Sequence, residues 1–196
     1  MTFSIFKKIE LSPQFIPIFY SIKCQYTRHQ SVRQAHLQTQ CLTLLRIHTM
    51  KALAKNITHS TAGFNTLALR LPIGIIFMAH GGQKIFGWFG GYGLEGTGQW
   101  MASIGIEPGV LMAFLAGSAE LVGGLFILLG LLTRPSAVVL AFTMIIAIVS
   151  VHLTNGLFMA NNGYEFALAL LAASVSLALS GSGKVAIDNT IATKLA

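Results

Sequence analysis

Charge is scarce in this chain. Of its 196 residues only 10% are Asp, Glu, Lys or Arg, while 54% are hydrophobic. An ordinary soluble domain carries about 25% charged residues, so this chain has too little charge to coat a water-soluble globule of its size. A mean hydropathy of +0.68 agrees. Cysteine is also nearly missing. Cys24 and Cys41 are too few for a disulfide framework, and neither belongs to a CxxC pair. From Met50 onward there is no cysteine at all, which excludes thiol–disulfide exchange by that part of the chain. Zinc-finger spacing, an HExxH pair and a nucleophile elbow are absent, so no metal site is expected. These shortages exclude disordered, coiled-coil and disulfide-rich secreted classes. They leave an all-α integral membrane protein, long enough for about four spans of about 20 residues each.

The net charge of +7 is unevenly placed. Residues 1–49 hold Lys7, Lys8, Lys23, Arg28, Arg33 and Arg46 against the single acid Glu10. They also hold both cysteines and His29, His36 and His48. Their longest apolar patch, Phe15 to Ile22, is interrupted by Pro17, closed by Lys23 and too short to span a bilayer. No small-residue cleavage site follows it, so it is a poor signal peptide. Met50-Lys51-Ala52-Leu53 reads like a bacterial start. Residues 1–49 are therefore expected to be a disordered or non-native extension, with an organelle-targeting presequence as the alternative. The charge left on 50–196 flanks membrane segments, so nucleic acid is not an expected partner.

Four apolar segments follow, about 67–86, 108–132, 136–153 and 164–180, with Arg134-Pro135 expected to stop the second and open the third. Period-2 alternation is absent, and backbone groups in lipid must be satisfied within the segment, so these spans are helices. Lys51, Lys55, Arg70, Arg134, Lys184 and Lys194 fall on one side. The stretches 87–107 and 154–163 contain no Lys or Arg. The positive-inside rule puts both termini in the cytoplasm. The result is a multi-pass inner (plasma) membrane protein with the lipid bilayer as its first partner. Phe86, Trp88, Phe89, Tyr92, Trp100, Phe158 and Tyr164 gather at the outer boundary as an interfacial belt.

Ionisable groups inside spans are costly and face the bundle interior or a water-filled cavity. Here they are Arg70, His80, Lys84, Glu120, His152 and Glu165, drawn from four segments. At about 1.5 Å per residue, Arg70 falls near the inner face and Glu120 near the middle. His80, Lys84, His152 and Glu165 fall in the outer half. Arg70, Phe77 and Lys84 recur at i+7 with Gly74 and Gly81 beside them. Glu120 is flanked by Ala116, Gly117, Gly123 and Gly124, and Glu165 leads into Ala169, Ala172, Ser176 and Ser180. Small residues let helices approach closely, so these faces are expected to meet in the core. Two readings stay open for the six groups. They lock the bundle together, or they line a polar pocket that binds a head group or relays protons.

The runs Leu69-Arg70-Leu71-Pro72-Ile73-Gly74 and His80-Gly81-Gly82-Gln83-Lys84-Ile85-Phe86-Gly87-Trp88-Phe89 resemble the first span of DoxX family membrane proteins. Gly117-Ser118-Ala119-Glu120-Leu121-Val122-Gly123-Gly124 and Leu128 to Arg134 resemble the second. Met144, His152, Asn155-Gly156, Gly163-Tyr164-Glu165, Gly181-Ser182-Gly183 and Asp188 continue the match. The resemblance implies a four-helix bacterial inner-membrane protein, many of whose relatives carry an oxidoreductase name, and one of which belongs to a thiosulfate:quinone oxidoreductase. With no cysteine after Met50, redox chemistry needs a bound quinone or a partner carrying the cofactor. The expected function is a quinone-linked redox subunit, working with other redox-complex subunits or as a homo-oligomer. The alternatives are a small proton-coupled transporter and a non-catalytic scaffold that docks a soluble redox enzyme.

Overall fold

The computed structural model describes residues 32–58, 60 and 62–195. The apolar patch Phe15–Ile22 and Cys24 lie outside them. The described residues form helices and turns, with no strand among them. The chain divides between Ala54 and Lys55 into two units. Helix α1, Val32–Thr58, runs across that division and through Met50, where the composition changes. The second unit contains α2 (Asn65–Phe86), α3 (Gly93–Ser103), α4 (Gly109–Leu129), α5 (Thr133–Ala147), α6 (Glu165–Ser180) and α7 (Ile187–Leu195).

The apolar segments become α2, α4, α5 and α6, with ends shifted by a few residues. Two differences have physical causes. Arg134-Pro135 does not stop the second segment. Gly130 does, adopting a left-handed conformation (φ 67°) that suits a residue without Cβ, with its N–H turned back to the carbonyls of Phe126 and Ile127. Pro135 instead sits in the first turn of α5, where the backbone N–H it lacks has no intrahelical partner to lose. In addition, α5 does not end as a plain α-helix. It passes into a π turn at Ile148–His152 and a 3-10 turn at Leu153–Asn155.

Helix α2 packs along α4, α5 along α6, and α3 lies on α4. The α2–α4 contact is made by glycines at matching seven-residue intervals. A Cβ on Gly74 would stand 2.9 Å from the Gly124 carbonyl oxygen, and one on Gly81 2.7 Å from the Gly117 carbonyl oxygen. The pairing of 74 with 124 and 81 with 117 makes the two helices antiparallel. The core between the helices is apolar, built on Ile73, Phe77, Ile127, Leu140, Leu170 and Leu177.

The outward faces are apolar as well. Leu111, Leu115 and Val122 on α4 and Val138, Phe142, Ile145 and Val149 along the α5 helix are exposed. The segments Gly109–Leu129 and Thr133–Asn155 are each long and apolar enough to cross a membrane, yet within an 18-residue apolar window of each only 33% and 17% of the residues are buried inside the fold. A core helix of a water-soluble protein hides its apolar residues; these two present theirs outward.

One expectation about faces fails. The small residues Ala169, Ala172, Ser176 and Ser180 that follow Glu165 are exposed, and α6 instead buries Ala167, Leu170, Ser174 and Leu177. The apolar core draws the leucine-bearing face inward, because leucines fill the space opposite Leu140 and Ile127 that alanine and serine would leave empty.

The glycine contact is directly testable. Gly81→Leu would drive a side chain into the α4 backbone, where even a Cβ stands 2.5 Å from the Leu121 nitrogen. Overpacking of this kind costs about 3 kcal/mol. The expected outcome is a clear fall in the thermal unfolding midpoint in detergent, while Ala172→Leu on the exposed face of α6 leaves it unchanged.

Candidate functional site

The six in-span candidates separate into two ends of the molecule. At one end Arg70 is 2% exposed and donates only to backbone carbonyls. Its Nε donates to Ile127 O (2.9 Å) and its Nη2 to Leu128 O (3.1 Å), which satisfies the last turn of α4. Its Nη1 donates to Ser182 O and to Val185 O (2.9 Å), which pins the segment after α6. Asp188, 1% exposed, works in the opposite sense. Its carboxylate accepts the Leu132 N–H (2.7 Å) and the Thr133 N–H (2.9 Å) at the start of α5, and its own N–H donates to Gly130 O (2.9 Å). A buried cation thus serves carbonyls at one helix C-terminus, and a buried anion serves N–H groups at the next helix N-terminus. Both match the helix dipoles. Arg70 thus meets backbone at this end of the fold and is not among the residues that line a cavity at the other end.

At the other end, α2 carries His80 and Lys84 one turn apart, and α4 carries Glu120. Lys84 Nζ donates to Glu120 Oε2 at 2.5 Å, with the lysine side chain 25% exposed and the carboxylate side chain 5% exposed. The glycine contacts put these two side chains within reach. A Cβ on Gly117 would itself touch Lys84 and Ile85. The pair is incompletely satisfied. An ammonium has three donors and a carboxylate about four acceptor sites, yet among the described residues this one bond is the only side-chain hydrogen bond of either group.

The unused capacity faces a cavity of about 820 Å³, lined by His80, Lys84, Glu120 and His152 amid apolar side chains from α3, α4, α5 and α6. Four of the six candidates therefore line one space. His152 arrives by way of the π turn, whose Ser150 and Val151 also line it. Extra turns of this type recur at functional sites. His152 Nδ1 lies 2.8 Å from the Asn162 carbonyl oxygen. A carbonyl only accepts, so Nδ1 carries the proton, and in the neutral ring Nε2 remains an acceptor. His80 packs its ring near Phe166, with centroids 6.0 Å apart.

Glu165 does not line the cavity. Its Oε1 accepts the Met159 N–H at 2.6 Å, and so fixes the loop whose Met159, Asn162 and Gly163 form one wall. Sequence reasoning missed Trp100, Met159 and Asn162 as lining residues, and missed Asp188 as the partner of α5. Asp188 had a signal: it is the single acid of a tail that is otherwise basic. Among the described residues no three His, Cys, Asp or Glu side chains are grouped to hold a metal.

Comparison with known proteins agrees with the helical, lipid-facing character of the fold. The family model described as DoxX matches residues 65–153, which include α2 to α5 and every charged cavity residue. "Putative oxidoreductase CatD" of Bacillus subtilis is 42% identical over 123 residues, covering 63% of this chain and 84% of the relative. "Inner membrane protein YphA" of Escherichia coli is 31% identical, covering 62% and 86%. An uncharacterized membrane protein of Mycobacterium tuberculosis is 30% identical, covering 70% and 88%. No solved structure matches the chain.

The division into two ends predicts different phenotypes. Arg70→Lys keeps the charge but cannot reach four carbonyls in two directions, and each hydrogen bond to a charged group that is lost costs about 2 kcal/mol. The expected outcome is a lower midpoint in thermal unfolding. An Arg70→Lys protein of normal stability would contradict the structural role.

Proposed function

This chain belongs to the DoxX family of membrane proteins, and we propose that it is a quinone-binding subunit of an inner-membrane oxidoreductase. In this reading α2, α4, α5 and α6 form a four-span bundle within residues 50–196, with both termini in the cytoplasm. The basic residues Arg134, Lys184 and Lys194 all precede or follow the spans at the Arg70 end, which supports that end as the cytoplasmic one. The cavity then lies in the outer half of the bundle.

The observation that carries the proposal is the half-satisfied Lys84–Glu120 pair at the edge of a largely apolar cavity. A quinone is an apolar ring with two acceptor oxygens, and a quinol bears two donor hydroxyls. Lys84 Nζ suits the first form and Glu120 the second. Reduction of the ring takes two electrons and two protons, one proton to each oxygen. The electrons come from a partner subunit that carries a redox cofactor, since residues 50–196 have no thiol to supply them. Glu120, His80 and His152 are groups of the right type to exchange the protons.

The core favours a ligand site over a conduit. Ile73 and Phe77, which stand between Arg70 and Lys84 along α2, join Ile127, Leu140 and Leu177 in one buried apolar core. This apolar layer separates the two polar ends, so the same charges make a poor solute pathway.

The test is direct binding. The full chain, purified with whatever subunits accompany it, is expected to retain a quinone extractable into organic solvent and to bind added decyl-quinone. Glu120→Gln keeps the shape but removes the charge, and is expected to weaken binding at least about tenfold per folded molecule, as for loss of one charge-assisted hydrogen bond, together with a lower unfolding midpoint because Lys84 loses its counter-charge. Absence of quinone binding by the wild-type protein, with and without its partners, would overturn the proposal.

A further inference from the structure

We propose that the ligand of this cavity carries a long apolar tail and enters sideways from the bilayer, through a mouth between α4 and α5. The inference rests on the ring-binding reading above and adds the route and the tail. The lining includes Met112, Leu115, Ala116 and Ala119 on α4 and Val139, Phe142, Thr143 and Ile146 on α5. Each of these sets has the spacing i, i+3, i+4, i+7 and forms one helical stripe, and Glu120, Met144 and Ala147 extend the lining beyond it. Leu115, Val139, Phe142 and Ile146 are at the same time 51%, 47%, 62% and 44% exposed on the outer surface. A side chain that lines a cavity and also faces outward stands at its opening. These four stand on two different helices, so the opening lies between them.

The helices that flank the mouth belong to the two segments long and apolar enough to cross a membrane. The mouth therefore looks onto hydrocarbon, not water. Trp100 and Met159 line the cavity too and are 43% and 58% exposed, so it also opens at the α3 and loop end, where a polar molecule would meet apolar lining together with Met101 and Ile106. The charged pair sits at the other limit of the same space, on α2 and the α2-facing side of α4. One molecule satisfies both ends: a polar ring against Lys84 and Glu120, and a chain lying between Leu115 and Phe142 with its far end in the lipid. At about 820 Å³ the cavity takes a drug-sized molecule, more than a ring with small substituents fills.

The experiment compares two probes with one ring, 2,3-dimethoxy-5-methyl-1,4-benzoquinone and its 6-decyl derivative. Both are added to the full chain in lipid nanodiscs. Association is followed by quenching of the fluorescence of Trp100, which lines the cavity, and Trp100→Phe should remove the ligand-dependent signal. In wild-type protein both probes are expected to bind. In Leu115→Phe and in Val139→Phe, which narrow the mouth while staying apolar, the association rate of the decyl probe is expected to fall at least about tenfold, corresponding to about 1.4 kcal/mol of added barrier. That of the ring-only probe should change less than about twofold. Unfolding midpoints identify any variant that has lost its fold, and the second position then provides the test. If the ring-only probe binds but the mouth variants slow both probes equally, or neither, the lateral route is wrong and the ring site stands. If neither probe binds the wild-type protein, the ring site itself is wrong and the route falls with it.

Discussion

A lysine and a glutamate among closely packed apolar helices are stable when they meet. In this protein they meet because α2 and α4 touch through glycine. Gly74 faces Gly124 and Gly81 faces Gly117, so two backbones come close enough for Lys84 on one to reach Glu120 on the other. Larger residues at those four positions would hold the helices apart and leave an ammonium and a carboxylate in apolar surroundings, each without its counter-charge. The cavity, the polar edge it opens on and the apolar plug behind it all follow from that approach.

The two ends of the fold treat charge in different ways. At the Arg70 end every contact closes on backbone. Arg70 and Asp188 take up carbonyls and N–H groups that the ends of α4 and α5 would otherwise leave unpaired, and they tie the Ser182–Asp188 segment between those ends. Nothing is left over for a ligand. At the Lys84 end one bond joins two groups that could make several more. Both places contain buried charge, and burial alone does not separate a brace from a binding site. Remaining hydrogen-bond capacity, together with space to fill, does.

The main helices were legible because they are written in long apolar runs, and their ends came out within a few residues. Convergence of His80, Lys84, Glu120 and His152 was legible too, since ionisable side chains in such segments have few places to go except toward each other. Arg70 and Glu165 passed the same filter but are used differently, one on helix ends and one on a loop N–H. Whether a buried charge finds backbone or cavity depends on where chain segments distant in sequence come to rest, as Ser182 and Met159 do, and no local pattern carries that. The face of α6 was misjudged for a related reason. Ala169, Ala172, Ser176 and Ser180 make a convincing small-residue stripe, but Leu170 and Leu177 fill the core better. Helix α3 was hidden by the glycines of its sequence, which lower helix propensity; it forms because Thr97, Gly98 and Met101 are buried together, with Gly98 against Val110.

The π turn at Ile148–His152 fixes more than a local bend. Such a turn holds one residue more than the α-helix it interrupts, and each residue in a helix advances the side-chain direction by about 100°. The direction in which His152 leaves its helix therefore depends on a count of residues as much as on their identity. Removing one residue between Ile148 and Val151 would restore regular α-helix and turn His152 by about that angle, parting its ring from the Asn162 carbonyl while every remaining side chain kept its chemistry. A one-residue difference in length at this point between otherwise similar proteins is thus a change in the architecture of the cavity, and an alignment that closes the gap by sliding one residue would pair histidines that point in different directions.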